Sequence, residues 1–329
     1  MPSKLRQRFP VLPSTPLTVL LLLVFFKQVG NGMVWSVLAV YGQSLGASAA
    51  VVGLMISAFG GARLITNFPA GYASEKFGRK RMMSGGCVLL AISSFAIVAT
   101  SELSSFFVCL LVMGIASSII ITSALAAVAD LGTPGERVTD MSYYQAANMI
   151  GASMGPALGG FSVVIGGYGG PFLANGLVAL FGIGAFLLMP WPREERGERP
   201  ISAPGQLRAI ARQGLGVGLM SFSMFYVRVS SNWILMPLIA QSRFGLEMTA
   251  IGIILTGGAV ANLSVVPFTA RLTRRYGHMR VITIAGTFTL IACGLLAFGN
   301  HPYFLALSSI VFGAAGGIAN PTQIGRAHV

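Results

Sequence analysis

Apolar runs, each long enough to cross a bilayer, occupy most of this chain, and short segments between them hold nearly all of its charge. Water is absent inside the hydrocarbon layer, so a spanning segment must satisfy its own backbone hydrogen bonds. A helix of roughly 20 residues does this across about 30 Å. Ten such segments are read, at about 15–41, 50–70, 82–100, 104–129, 142–166, 171–190, 213–240, 248–270, 281–299 and 302–323. The first is too long for a cleavable leader, and no small-residue cleavage site follows a short apolar core. Of all residues 54% are hydrophobic and only 9% charged, against about 25% charged in a soluble domain. So few charges cannot clothe a water-facing surface. The predicted class is an all-α membrane protein, in which the 42 glycines permit close helix packing.

The net charge of +13 could suggest nucleic-acid binding, but its distribution is topological. With the N-terminus inside, 17 of the 22 basic residues fall in inside segments. These are the tail with Lys4, the loops around Arg79 and Arg137, the segment from Arg193 to Arg212, and the loop from Arg271 to Arg280. The outside loops hold only Arg243. This asymmetry predicts a cytoplasmic N-terminus in a multi-pass protein of the plasma (inner) membrane, with no nucleic-acid partner. Cys87, Cys109 and Cys293 all lie in apolar runs, so neither a disulfide framework nor a metal site is expected.

Residues 191–212 form the one long polar stretch, with Pro192, Pro200 and Pro204 among mixed charges. They read as a cytoplasmic linker, of which Gln206 to Arg212 could lie on the membrane surface. The predicted organisation is an N-terminal six-helix bundle (1–190), the linker, and an incomplete C-terminal bundle of helices 7–10 (213–323). The last six residues, 324–329, read as a non-native tail, and the chain as helices 1 to 10 of twelve. The halves repeat at a shift of 199 residues, which carries Gly46 to Gly245, Gly53 to Gly252, Gly78 to Gly277 and Gly114 to Gly313. Parallel repeats around a central loop are an architecture of secondary transporters.

After helix 2 comes Gly71-Tyr72-Ala73-Ser74-Glu75-Lys76-Phe77-Gly78-Arg79-Lys80, with a degraded echo at 270–279. Gly71 permits close helix approach and Gly78 a tight turn; the bases suit an anionic leaflet. A bare topogenic charge cluster is the alternative. This pattern closely resembles the signature loop of the major facilitator superfamily, with Glu75 where Asp is usual. The resemblance implies two pseudo-symmetric bundles and alternating access. It implies that Arg79 pairs with Asp130 at the end of helix 4, and that Glu75 stabilises one conformational state. Helix 5 carries Gly151, Gly155, Pro156, Gly159 and Gly160, spaced for close packing and for a bend. It looks like the helix 5 motif of the superfamily's antiporters, although Ser142 stands where an upstream Gly is expected. Leu110 stands where those antiporters tend to carry Arg, which weakens a drug–proton reading.

Ionisable groups at membrane depth are costly and so are functional candidates. Lys27 in helix 1 and Arg228 in helix 7 are each followed four residues on by an amide, Asn31 and Asn232, on the same helix face. By resemblance, helices 1 and 7 line the central cavity, and some organophosphate carriers of the superfamily use basic residues there. The pair would suit an anionic solute. Snorkelling or a structural role is the alternative. Arg63, with Asn67 and Pro69, sits nearer the cytoplasmic end. Trp35, Tyr144, Gln145, Asn148, Trp233, Asn320 and Gln323 could orient a small ligand, or simply pack. All nine acidic residues fall in loops or at helix ends, so no visible helix offers a mid-membrane carboxylate for proton coupling. The chain has no phosphate-binding loop, nucleophile elbow or dinucleotide fingerprint. The expectation is a monomeric, cofactor-free secondary transporter of a small organic solute, working by ion-coupled efflux or exchange. The alternatives are uptake of an organic anion through Lys27 and Arg228, and a non-transporting sensor.

Overall fold

The computed structural model describes residues 15–131, 137–188, 223 and 226–326. The expected linker, the start of helix 7 and the last three residues lie outside them, as do the side chains of Asn320 and Gln323. The described chain is helical with short turns: α1 Thr15–Ser44, α2 Ala49–Phe77, α3 Arg79–Ala99, α4 Leu103–Leu131, α5 Arg137–Gly166 and α6 Gly170–Leu188. A π-helical turn at Val229–Leu235 then leads into α7, Met236–Phe244, and α8 Met248–Tyr276, α9 His278–Phe298 and α10 Pro302–Arg326 follow. No strand occurs among the described residues. Among the described residues, seven apolar stretches are long enough to cross a membrane, one of them, Thr139–Phe186, reaching across α5 and α6.

Several helices outrun the apolar runs that predict them. α2 continues to Phe77, so most of the motif read as a loop, Gly71 through Phe77, is helix. One residue makes the turn: Gly78, at φ 95°, ends α2 as Arg79 begins α3. Its repeat mate Gly277 does the same between α8 and α9, at φ 80°. A residue with a Cβ strains at such φ, so both positions require glycine.

Packing divides the described residues into two compact units, and each is considered by itself. The first gathers residues of Met1–Asn31, Leu54–Ala152 and Phe172–Arg193; the second gathers residues of Gly32–Gly53, Ser153–Pro171 and Glu194–Val329. These units cut α1, α2, α5 and the start of α6, whereas the sequence division follows the chain.

In the first unit α3 packs on α4, and Phe106 meets Phe172 edge to face at 5.9 Å. Asn175 donates to Ser94 at 3.0 Å, so both buried polar side chains are paired. In the second unit α10 packs on α8 and α9, and Thr269 donates to the Gly317 carbonyl at 2.9 Å. The repeat is visible in three dimensions. A Cβ on Gly114 would lie 2.7 Å from the Phe59 carbonyl oxygen, and one on Gly313 would strike the Gly258 carbonyl. The shift of 199 residues that carries Gly114 to Gly313 also carries Phe59 to Gly258. The same α4–α2 approach therefore recurs as α10–α8.

Candidate functional site

Lys27 points into the first unit. It is 8% exposed, and its Nζ donates to Ser117 Oγ on α4 at 2.9 Å. Tyr144 and Asn148 of α5 line the same cavity as Lys27, and Tyr144 is buried. No carboxylate pairs with Lys27 among the described residues. Beside it lies a cavity of about 30 Å³, lined by Lys27, Gln28, Cys87, Tyr144 and Asn148 among apolar side chains. That is room for one or two waters and too little for an organic solute. Of the other first-unit candidates, Gln145 is exposed and Asn31 half-buried; neither lines this cavity.

In the second unit Arg228 stands immediately before the π turn. There the Met236 N–H reaches back five residues to the Ser231 carbonyl. Pro237 explains the widening, because a proline lacks the helix donor and its ring would clash with the carbonyl four residues earlier. The turn carries Asn232 and Trp233, and Trp233 meets Trp35 of α1 edge to face at 6.2 Å. Farther along, Tyr41 stacks on Tyr168 at 6.0 Å, and Gln241 donates to the Tyr168 hydroxyl at 3.0 Å.

Arg228 lies near two residues that sequence reading missed, Asn262 and Gly316. A Cβ built on Gly316 would lie 2.9 Å from Arg228 Nη1 and 2.7 Å from Asn262 Nδ2. Asn262 is 5% exposed, and its Nδ2 is buried without a hydrogen-bond partner; the Oδ1 of Asn232 is orphaned likewise. The available signal was a polar residue within an apolar run, placed by the repeat opposite Arg63.

The motif between α2 and α3 is an ion-pair cluster. Arg79 is buried and donates through Nε to Asp130 Oδ2 at 3.1 Å, the pairing the resemblance implies. Glu75 stands 3.7 Å from the same guanidinium. Gly71 lies in ordinary contact with Thr122, at 3.6 Å from a built Cβ, so close approach there is less demanding than the motif suggests.

The helix 5 motif presents two faces. Gly151 abuts the Phe25 carbonyl, and Gly159 abuts Met33 and Ser36, all on α1; Gly155 is buried between them. The second face meets α8 within the second unit. Gly160 lies against the Met248 backbone, Gly252 against the Pro156 carbonyl, and Ala157 N–H donates to Thr256 Oγ1 at 2.9 Å. Ser153 donates to the Ala259 carbonyl at 3.3 Å. Pro156 interrupts the ladder of α5 at the point where α8 supplies polar partners.

An all-helical membrane chain with a duplicated helix pattern and buried cations has the build of a solute carrier. The family model of the Major Facilitator Superfamily matches residues 20–327, and the chain belongs to that superfamily. It is accordingly a multi-pass membrane transporter. It is 27% identical over 270 residues to Multidrug resistance protein 1 of Bacillus subtilis, covering 81% of this chain and 69% of that protein. To the Quinolone resistance protein NorA of Staphylococcus aureus it is 22% identical, covering 88% and 75%. Among solved structures, the nucleoside transporter NupG superposes with a TM-score of 0.78 at 18% identity, covering 94% of this chain and 81% of that one.

Proposed function

We propose that the chain is a secondary active transporter that moves a small organic solute by alternating access, as ion-coupled efflux or exchange. The observation that carries this reading is the α5–α8 seam, where Gly160, Gly252 and Pro156 bring backbone onto backbone. Such a contact is crossed by few side-chain bonds, those of Ser153 and Thr256, and suits elements that separate and meet again. The names of the two curated relatives support efflux over uptake. The roles assigned are solute binding or coupling for Lys27, Asn31, Trp35, Gln145, Asn148, Arg228, Asn232 and Trp233, and conformational control for Glu75, Arg79 and Asp130. The assigned setting is a monomer in the plasma membrane with a cytoplasmic N-terminus.

Among the described residues the carboxylates Glu75, Glu102, Asp130, Asp140 and Glu247 all stand at helix ends or in turns. Coupling through them would act at the membrane faces, and the solute's own charge can supply the rest. A second reading, uptake of an organic anion, draws support from the lack of any carboxylate beside Lys27 or Arg228 among the described residues. The test is flux in proteoliposomes. Purified protein is reconstituted, a pH gradient is imposed in either direction, and a panel of radiolabelled neutral, cationic and anionic solutes is followed. Gradient-dependent movement of at least one solute above protein-free liposomes is expected. No movement of any solute under either gradient would overturn the proposal.

A further inference from the structure

The turn between α8 and α9 gathers four arginines and no acid. Arg271, Arg274 and Arg275 lie at the end of α8, Arg280 lies in the first turn of α9, and all four are exposed. No acidic residue occurs in 248–329, and among the described residues no ion pair reaches Arg271, Arg275 or Arg280. The first repeat is built otherwise. There Arg79 is buried and faces Asp130 and Glu75, whereas the 199-residue shift carries Glu75 to Arg274. An acid of the first repeat has thus become a base in the second. What the two turns share is a cation over a ring, Lys76 over Phe77 at 5.6 Å and Arg275 over Tyr276 at 5.5 Å.

A guanidinium keeps its charge in a protein, so this cluster calls for anions beyond the two helices. The helix ends do not account for it. The negative end of the α8 dipole favours Arg274 and Arg275, but Arg280 stands at the positive end of α9, where a cation is disfavoured. The surface adjoining the arginines is apolar and open. Val265 and Leu272 of α8 pack with Val281 and Ala285 of α9 and Ile318 of α10, which turns the opposite faces of α8 and α9 outward. On α8, Val260, Phe268, Arg271 and Arg275 follow at helical spacing along one exposed face; on α9, Arg280, Ile284, Phe288 and Ile291 do the same. Each stripe runs from apolar side chains inside a spanning stretch to arginine at its edge. We infer that the α8–α9 turn is a docking site for an anionic phospholipid, its headgroup phosphate held by Arg271, Arg275 and Arg280 and its acyl chains lying along the two stripes. The guanidinium fork matches phosphate oxygens, Tyr276 suits headgroup depth, and Phe268 and Phe288 suit acyl chains. A soluble anion would engage the arginines and leave the stripes without a role. The site is independent of which solute is carried.

The probe is dioleoylphosphatidylglycerol, with zwitterionic dioleoylphosphatidylcholine, which has the same chains, as its comparison. Lipid bound to the whole chain in detergent is counted by native mass spectrometry at matched concentrations. Phosphatidylglycerol is expected to bind roughly tenfold or more tightly than phosphatidylcholine, and the preference to shrink as salt rises. One cation near an anionic surface is worth roughly fivefold in affinity. Arg271→Gln, Arg275→Gln and Arg280→Gln should therefore each weaken phosphatidylglycerol by about that factor, and the triple variant should erase the preference. Lys76→Gln combined with Arg81→Gln, in the first repeat, should keep it, and Phe268→Ser should weaken both lipids. Lipid-free melting curves verify that each variant is folded. Equal affinity for the two lipids, an undiminished preference in the triple arginine variant, or an equal loss in the first-repeat pair would overturn the site. So would full displacement of the lipid by an equal concentration of inorganic phosphate, which marks a soluble anion, or a dimer that excludes the lipid, which marks a second copy of the chain as the occupant.

Discussion

Two glycines of α5 should respond to the same substitution with opposite sign. A Cβ on Gly160 would strike the Met248 carbonyl and lie 2.9 Å from Thr249 Cα and 3.0 Å from the Met248 carbonyl carbon. All three atoms are α8 backbone, so no rotamer change relieves the clash and the helices must separate. Overpacking of this kind costs about 1–3 kcal/mol. Gly166, at the end of the same helix, has nothing within 4 Å of a built Cβ and a negative φ. Alanine there gains roughly 0.5–1 kcal/mol by restricting the unfolded chain. Gly160→Ala is therefore expected to melt a few degrees below the native chain, and Gly166→Ala at or slightly above it. The measurement is intrinsic-fluorescence melting in one detergent, scanned at one rate. Equal midpoints for Gly160→Ala and the native chain would refute the backbone-contact account of the seam, as would an equal loss in both variants.

Ser117→Val should strand the Lys27 ammonium and destabilise by roughly 1–3 kcal/mol; adding Lys27→Met should recover most of that loss in chemical denaturation, and additive losses would show that the ammonium is held elsewhere. A double-mutant cycle of Arg79→Gln and Asp130→Asn should give a coupling energy of about 1 kcal/mol, read from denaturation midpoints, because Asp130 is only partly buried. Cysteines placed at Arg81 and Glu102, with Cys87, Cys109 and Cys293 replaced, should label from opposite faces of sealed vesicles. Labelling of both from one face would break the assigned topology, since α3 separates them.

Helix positions were legible because a backbone in hydrocarbon has few options, and the apolar runs report where the hydrocarbon is. Helix ends were less legible for the same reason. Glu75 and Lys76 leave the apolar zone while their backbone continues to coil, and only Gly78 stops it. The Arg79–Asp130 pair came from a resemblance, since no spacing rule brings together residues 51 apart. The π turn had a single hint, Pro237, and a proline alone does not distinguish a kink from a widened turn. Asn262 and Gly316 were missed because an amide and a glycine look ordinary in such helices. Their meeting with Arg228 depends on how separate helices pack, which no single run of sequence displays. Gln145 shows the opposite failure: its residue type suits a ligand site, but the face of α5 that carries it is exposed.

The seam between α5 and α8 has one more implication. A junction built mostly from glycine and proline backbone has little chemical preference of its own, and the two bonds that cross it, from Ala157 N–H to Thr256 and from Ser153 to the Ala259 carbonyl, use hydroxyls that either serine or threonine could supply. Arg228, Asn262 and Trp233 lie outside that junction. On the proposed mechanism, side chains away from this junction can change from one descendant to the next while the joint itself is inherited unchanged.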